Sequence, residues 1–217
     1  MVAIDGPGGS GKSTVAGRLA ARLGLAHLDT GAMYRGLTYA VLRDGMNPAD
    51  AAAVSELARR TRIELADGRV GGAVTVDGRD ASGPIRGPAV TATVSAVSAH
   101  PGVREEMVRR QRRWVEDRGG AVVEGRDIGT VVFPGAALKV YLTASEAERA
   151  KRRAAETAGL DGESAPAAAE AARDLARRDR LDSSRAVSPL AVAEGAVVID
   201  TTDLSVEEIV DQLVGRL

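Results

Sequence analysis

Apolar positions follow two alternating rhythms along the chain. Val2–Asp5 (VAID) is a short apolar run that stops at glycines, the pattern of a buried strand. The next stretch carries Val15, Leu19 and Leu23 at helical spacing, with Gly24 placed to stop the helix. Ala26–Asp29 (AHLD) reads as a second short strand, and TGAMYRGLTYAVLRDG, from Thr30, as a second helix. Strand, loop, helix, strand and helix in that order open an α/β fold.

The middle of the chain has a different rhythm. Pro48 to Arg60 is Ala-rich and reads as helix. RIEL, GAVTVDG and RDAS are short alternating runs separated by the turn sequences DGR and DGRD. They predict a small antiparallel insertion from about 62 to 86; an edge extension of the main sheet is the alternative. Helices are predicted at about 89–99 and 102–117, meeting at Pro101. AVVEG, LKVYLT and AVVID then read as strands, which makes five candidates for one parallel sheet, and SVEEIVDQLVGRL as a closing amphipathic helix. LDGESAPAAAEAA, between Leu160 and Ala172, is low in complexity and is expected to be mobile. The chain shows no repeats.

Composition narrows the function classes. A chain of 217 residues with 44% hydrophobic and 27% charged residues suits one compact domain with a small insertion. Aromatics are only 2%, so the core must be built from Ala, Val, Leu and Ile. A net charge of −1 argues against nucleic acid or a membrane surface as the main partner. The absence of cysteine excludes disulfides and a thiolate nucleophile and suits a reducing compartment. With no bilayer-length apolar run and no leader ahead of the first strand, a cytoplasmic monomer is expected. Nothing has the spacing of a zinc site. His27, His100 and Trp114 are expected to serve structure.

One compositional bias sharpens the chemistry. Lys12, Lys139 and Lys151 are the only lysines among 29 basic residues, so an arginine cluster says little and a lysine in a demanding position says more. Lys12 lies in Gly6-Pro7-Gly8-Gly9-Ser10-Gly11-Lys12-Ser13-Thr14, which matches G-x-x-x-x-G-K-[ST] between a strand and a helix. Glycines in such a loop let backbone N–H groups turn inward on phosphate oxygens, and the helix N-terminus adds partial positive charge. Lys12 supplies a compact ammonium, and the Ser13 hydroxyl is placed to ligate Mg²⁺. Gly6, Gly8 and Gly11 also satisfy the dinucleotide pattern G-x-G-x-x-G, with Asp29 downstream as a ribose acid. The Lys12-Ser13 pair favours the triphosphate loop, because a dinucleotide loop has no use for a lysine there.

Within this class a guanine switch would need Asn-Lys-x-Asp, and the only asparagine is Asn47, followed by Pro48. No Leu-Ser-Gly-Gly signature of a transporter ATPase is present. A small kinase remains, with a slow ATPase or regulatory protein as its rival and shikimate or another monophosphate as alternative acceptors. Four segments are candidates for the acceptor: LDTGAMYRG, SAVSAHPGVREEM, VVEGRDIGTVVFPGA and RDRLDSSRAVSPL. On composition alone, REEMVRRQRR and ERAKRR are solvated helix faces with paired charges.

These segments, in this order with the loop, resemble the bacterial cytidylate kinase family nearly end to end. DTGAMYR, EGRDIGTVVFP and the R-D-x-x-D-x-x-R run of Arg178–Arg185 followed by AVSPL carry the resemblance. It implies a three-layer P-loop NTPase fold with a five-stranded parallel sheet, an antiparallel monophosphate-binding insertion and a helical lid at about 150–182. It further implies a kinase core of 1–36 with 100–217 and a monophosphate-binding region of 37–99. The implied reaction is transfer of the γ-phosphoryl of ATP to CMP or dCMP, with Mg²⁺, in pyrimidine nucleotide metabolism.

Carried over by residue, the resemblance implies that Arg35, Arg126 and Arg185 grip the acceptor phosphate. Ser95, Arg104 and Asp127 read cytosine, and Asp182 holds the ribose. Thr30 and Tyr34 lie in the same acceptor segment, Thr30 where the family often has Ser. Gly6 to Thr14 hold the donor phosphates with Arg149 and Arg153, and Lys12, Arg126, Arg153, Arg178 and Arg185 serve catalysis. Ser13 and Glu124 are the metal candidates, Glu124 acting through water.

The assignment is chemically coherent. Asp127 accepts from the N4 amino group of cytosine, and N3 and O2 suit Arg104 and Ser95. Uracil would set O4 against a carboxylate and N3–H against a guanidinium, a mispairing that can reject by orders of magnitude.

Overall fold

The computed structural model describes residues 1–66, 72–161, 168–185 and 187–217. Its main sheet has five strands in the order β2-β6-β1-β7-β8. The strands are β1 (Val2–Asp5), β2 (Ala26–Asp29), β6 (Ala121–Gly125), β7 (Leu138–Thr143) and β8 (Val197–Asp200). β1 pairs with β7, β7 with β8 and β2 with β6, all in parallel. Val2, Ala3 and Ile4 are fully buried, as a strand covered on both faces requires.

A separate antiparallel sheet joins β3 (Ile63–Leu65), β4 (Val74–Val76) and β5 (Arg79–Asp80). The insertion predicted at 62–86 is therefore a sheet of its own and not an edge of the main one. Asp77 and Gly78 turn β4 into β5 with φ of 52° and 76°, the paired left-handed conformation of a two-residue hairpin.

The helices are α1 (Lys12–Leu23), α2 (Thr30–Arg43), α3 (Ala51–Arg60), α4 (Pro88–Ala99), α5 (Pro101–Glu116), α6 (Glu146–Asp161), α7 (Ala168–Ser183) and α8 (Val206–Val214). Local chemistry sets their ends. Asp29 and Asp50 cap α2 and α3 by accepting from Ala32 N and Ala53 N, each at 3.0 Å. The Asp50 cap is why α3 starts after, and not at, Pro48. Ser205 and Glu208 form a capping box on α8. One element escapes the hydrophobic pattern: Ile128–Val132 winds as a single π-helical stretch straight after Asp127.

The chain forms two compact units, 1–19 with 125–217, and 20–124. The first buries Ile4, Val15, Leu19, Val140, Leu142, Ile209 and Leu213; its helices α6 and α7 pack on each other. The second buries Leu28, Leu37, Val41, Leu57, Val97 and Met107, with α2 against α4 and α3 against α5. Both cores are aliphatic, as the scarcity of aromatics requires. The low-complexity stretch expected to be mobile falls partly on residues 162–167, which lie outside the described residues.

Candidate active site

The loop from Gly6 to Thr14 leaves β1 and ends in α1, which begins at Lys12. Gly6 and Gly9 are steric requirements. A Cβ at Gly6 (φ 150°) would lie 2.1 Å from the Leu142 carbonyl oxygen, and one at Gly9 (φ 73°) would lie 2.7 Å from that of Arg149. Lys12 is buried, and its Nζ donates to the Pro7 carbonyl at 2.7 Å. The first-turn N–H groups of α1 have no helical acceptor and add positive potential beside it.

Asp5 anchors the loop's entry. Its carboxylate accepts from Ile128 N at 2.8 Å and Gly129 N at 2.7 Å, so it holds the π-helical stretch that follows Asp127. Burial pushes the Asp5 carboxyl up to about 6, with the charge of Asp127 adding to the rise and the two backbone donors opposing it.

Arg126 connects two groups of candidate residues. One terminal nitrogen donates to the Gly6 carbonyl at 2.9 Å, and Nε donates to Asp182 Oδ2 at 3.0 Å. Asp182 also accepts from Arg185. On the same face of α7, Asp179 accepts from Gly8 N at 3.2 Å and from Arg149, which itself donates to the Gly8 carbonyl at 3.1 Å. Arg178 is held down to about 10 by burial and by the charges of Arg126 and Arg153. Its Nε is buried with no hydrogen-bond partner among the described residues.

In the unit spanning 20–124, Thr30 is buried at the start of α2 and its hydroxyl donates to the Glu124 carbonyl at 2.7 Å. Glu124 is 3% exposed, and His27 Nε2 lies 3.0 Å from its Oε1. Desolvation, and then the charge of Glu124, raise the Asp29 carboxyl above its ordinary value. Arg35 donates to the Ile85 carbonyl at 3.2 Å and to Thr91 Oγ1 at 3.0 Å. Arg104 donates to the Ser98 carbonyl at 3.4 Å and stands over the Tyr34 ring, 5.6 Å from its centroid. Ser95 is buried one turn before Ser98, which donates to its carbonyl.

The expected residues thus sort into two sets. The loop, Arg126, Asp127, Arg149, Arg153, Arg178, Asp182 and Arg185 belong to the first unit. Thr30, Tyr34, Arg35, Ser95, Arg104 and Glu124 belong to the second. Sequence reasoning missed Asp5 and Asp179. Asp5 closes a buried strand directly before the glycines, and Asp179 stands three residues before Asp182, one helical turn along the same face; both signals were available. His27 Nε2 lies 3.0 Å from Glu124 Oε1, and His100 Nε2 lies 2.7 Å from the Pro48 carbonyl. Trp114 stacks on Arg118 with the guanidinium 3.9 Å from the ring centroid.

A helix that opens directly after such a loop, at the carboxyl end of a parallel strand, makes this a P-loop nucleotide-binding protein. Cytidylate kinase is the family description that matches residues 2–217. The chain is 51% identical to a cytidylate kinase of Geobacillus kaustophilus over 98% of this chain and 93% of that relative. It is 49% identical to one of Mycolicibacterium paratuberculosis, over 98% and 92% of the two chains. A bifunctional pantoate ligase/cytidylate kinase of Synechococcus elongatus is 49% identical over 99% of this chain, which spans 41% of that longer protein. A solved structure of an uncharacterized protein from Eubacterium ventriosum shares the fold, with a TM-score of 0.52 at 12% identity over 99% of this chain and 95% of that one. The chain belongs to the cytidylate kinase family.

Proposed function

We propose that this chain transfers the γ-phosphoryl of ATP to CMP or dCMP, giving ADP and CDP or dCDP. The observation that carries the reading is Arg126, whose guanidinium joins the Gly6 carbonyl of the phosphate loop to Asp182 and, through it, Arg185. One cation thereby serves both the donor loop and residues assigned to the acceptor.

Transfer needs little covalent help and much charge neutralisation. Lys12 and the loop amides hold the donor. Arg35, Arg126 and Arg185 hold the acceptor phosphate, whose oxygen is already an adequate nucleophile, so no general base is required. Arg149, Arg153 and Arg178 on α6 and α7 form the lid arginines, and the buried Nε of Arg178 suits an anion. The lid expected at about 150–182 includes residues 162–167, outside the described residues. Ser95, Arg104 and Asp127 read the base, with Arg104 stacked on Tyr34. The kinase core is 1–36 with 100–217, and the monophosphate-binding region is 37–99.

No cluster of three metal-ligating side chains occurs among the described residues. That fits Mg²⁺, which takes one or two protein ligands and completes its shell with phosphates and water. Ser13 would ligate it and Glu124, whose Oε1 lies 3.0 Å from His27 Nε2, would act through water; bound Mg²⁺ would supply neutralisation of phosphate charge. No helix among the described residues is long and apolar enough to cross a membrane. A cytoplasmic monomer acting on free nucleotides completes the proposal.

The test is ADP formation from ATP in the presence and absence of CMP. ADP formation that depends on CMP is expected. ADP released at the same rate without any acceptor would make the chain an ATPase.

A further inference from the structure

Thr201 follows the last strand of the main sheet and is 1% exposed. Its N–H donates to the Thr143 carbonyl at 2.8 Å, which fixes its backbone to β7. Its side chain makes two contacts of opposite sense. Arg152 of α6 donates to Thr201 Oγ1 at 2.9 Å and, through its second terminal nitrogen, to the Thr201 carbonyl at 2.8 Å. Thr201 Oγ1 in turn donates to the Ser10 carbonyl at 3.2 Å. Arg152 is itself held by Glu148 Oε1 at 3.0 Å.

The direction of this chain follows from chemistry. A guanidinium can only donate, so the Thr201 hydroxyl must accept from Arg152. Its one proton then goes to Ser10. The Ser10 carbonyl and the Gly11 N–H are the two ends of one planar trans peptide and point in opposite directions. Holding the carbonyl outward on Thr201 turns the Gly11 N–H to the other side of the loop. Gly11 has φ of 84°, a conformation in which glycine has little intrinsic restraint, so an external tie is needed to keep this peptide from turning over. A Cβ at Gly11 would lie 3.7 Å from an Arg152 terminal nitrogen, so the tie acts at short range.

We infer that Arg152 and Thr201 are positioning residues for the donor nucleotide: the Arg152–Thr201–Ser10 relay sets the Ser10–Gly11 peptide so that the Gly11 N–H faces a phosphate. This rests on the reading of the loop as the ATP site. The relay predicts that a nucleoside polyphosphate feels the tie, whereas a nucleoside without phosphates does not.

Calorimetric binding of MgADP, adenosine and CMP to the full chain tests it. Thr201→Val keeps the shape and removes the donor. It is expected to weaken MgADP about five- to tenfold, the effect of one lost oriented hydrogen bond, with adenosine and CMP within about twofold of wild type. Thr201→Ser restores the hydroxyl and should restore MgADP binding. Arg152→Gln weakens MgADP on its own and adds less to Thr201→Val than it costs alone, because both act on one hydroxyl. Equal MgADP affinity in Thr201→Val and wild type overturns the relay, as does an equal loss for adenosine. Should Thr201→Val fail to fold, Arg152→Gln carries the same comparison, and unchanged MgADP affinity in that variant overturns the relay. Wild-type protein that binds no MgADP contradicts the ATP-site reading itself.

Discussion

The described partners of the candidate-site arginines differ between the two units. Around the phosphate loop, Arg126 and Arg185 share the Asp182 carboxylate, and Arg149 meets Asp179. In the unit of 20–124, Arg35 rests on a main-chain carbonyl and a hydroxyl, and Arg104 on a carbonyl and a ring face. We read the first arrangement as one of exchange, in which a phosphate arriving at the loop would take the place of a carboxylate on an arginine or an amide. We read the second as one of reception: the described contacts of Arg35 and Arg104 include carbonyl, hydroxyl and ring-face partners, a set that suits the proposed reading of a base. Asp179 is the clearest example of exchange, because its carboxylate sits on the Gly8 N–H of a loop built for phosphate oxygens.

The largest expected effect breaks the donor side alone. Lys12→Ala should lower turnover by at least about a hundredfold, since the proposal gives Lys12 the charge that neutralises the transferring group, while CMP binding measured by calorimetry stays within about twofold. Loss of CMP binding along with turnover would abolish the division between the two sides. Next comes Arg126→Ala, expected to raise the KM for CMP by about tenfold and that for MgATP by no more than about threefold. Equal losses would transfer Arg126 to the donor side, where its bond to Gly6 already reaches.

How much of this was legible beforehand depends on the kind of signal. The loop, the strands of the main sheet and six of the helices were, because buried apolar runs and helical spacing are local properties; α6 and α7 were expected only as a lid through the family resemblance, and the start of α7 lies in the stretch expected to be mobile. So was the separate antiparallel sheet, through its turn sequences. The π-helical stretch at Ile128–Val132 was not, since its cause is remote: Asp5, at the far end of the chain, takes up the Ile128 and Gly129 N–H groups. The same limit applies to the site. Arg126 and Asp182 stood out in motifs, but a bond linking positions so distant in sequence leaves no pattern. Arg152 was hidden for a different reason: in a chain this rich in arginine, one more on an exposed-looking helix carries no information.

Smaller effects sharpen the contrast between exchange and reception. Asp179→Asn removes the carboxylate that occupies Gly8 N–H and Arg149, and it should tighten MgADP by about threefold through lost competition; weaker binding would make Asp179 a brace for the bound state. Asp5 gives the smallest effect, seen in stability. Its carboxyl keeps its proton up to about pH 6 when folded and loses it near the ordinary 3.8 when unfolded. The native state therefore binds the extra proton between those values, and stability falls as pH rises through them. Denaturant unfolding should show this decline in wild type between about pH 4 and 6.5, by about 1–3 kcal/mol, and a flatter profile in Asp5→Asn. The same slope in both proteins would place the titration elsewhere.

The central claim is that the acceptor side reads cytosine through Ser95, Arg104 and Asp127. It is tested most directly by kcat/KM for CMP and UMP at sub-saturating concentrations with saturating MgATP. The account predicts a preference for CMP of about a hundredfold or more. Comparable values for the two nucleotides would contradict it.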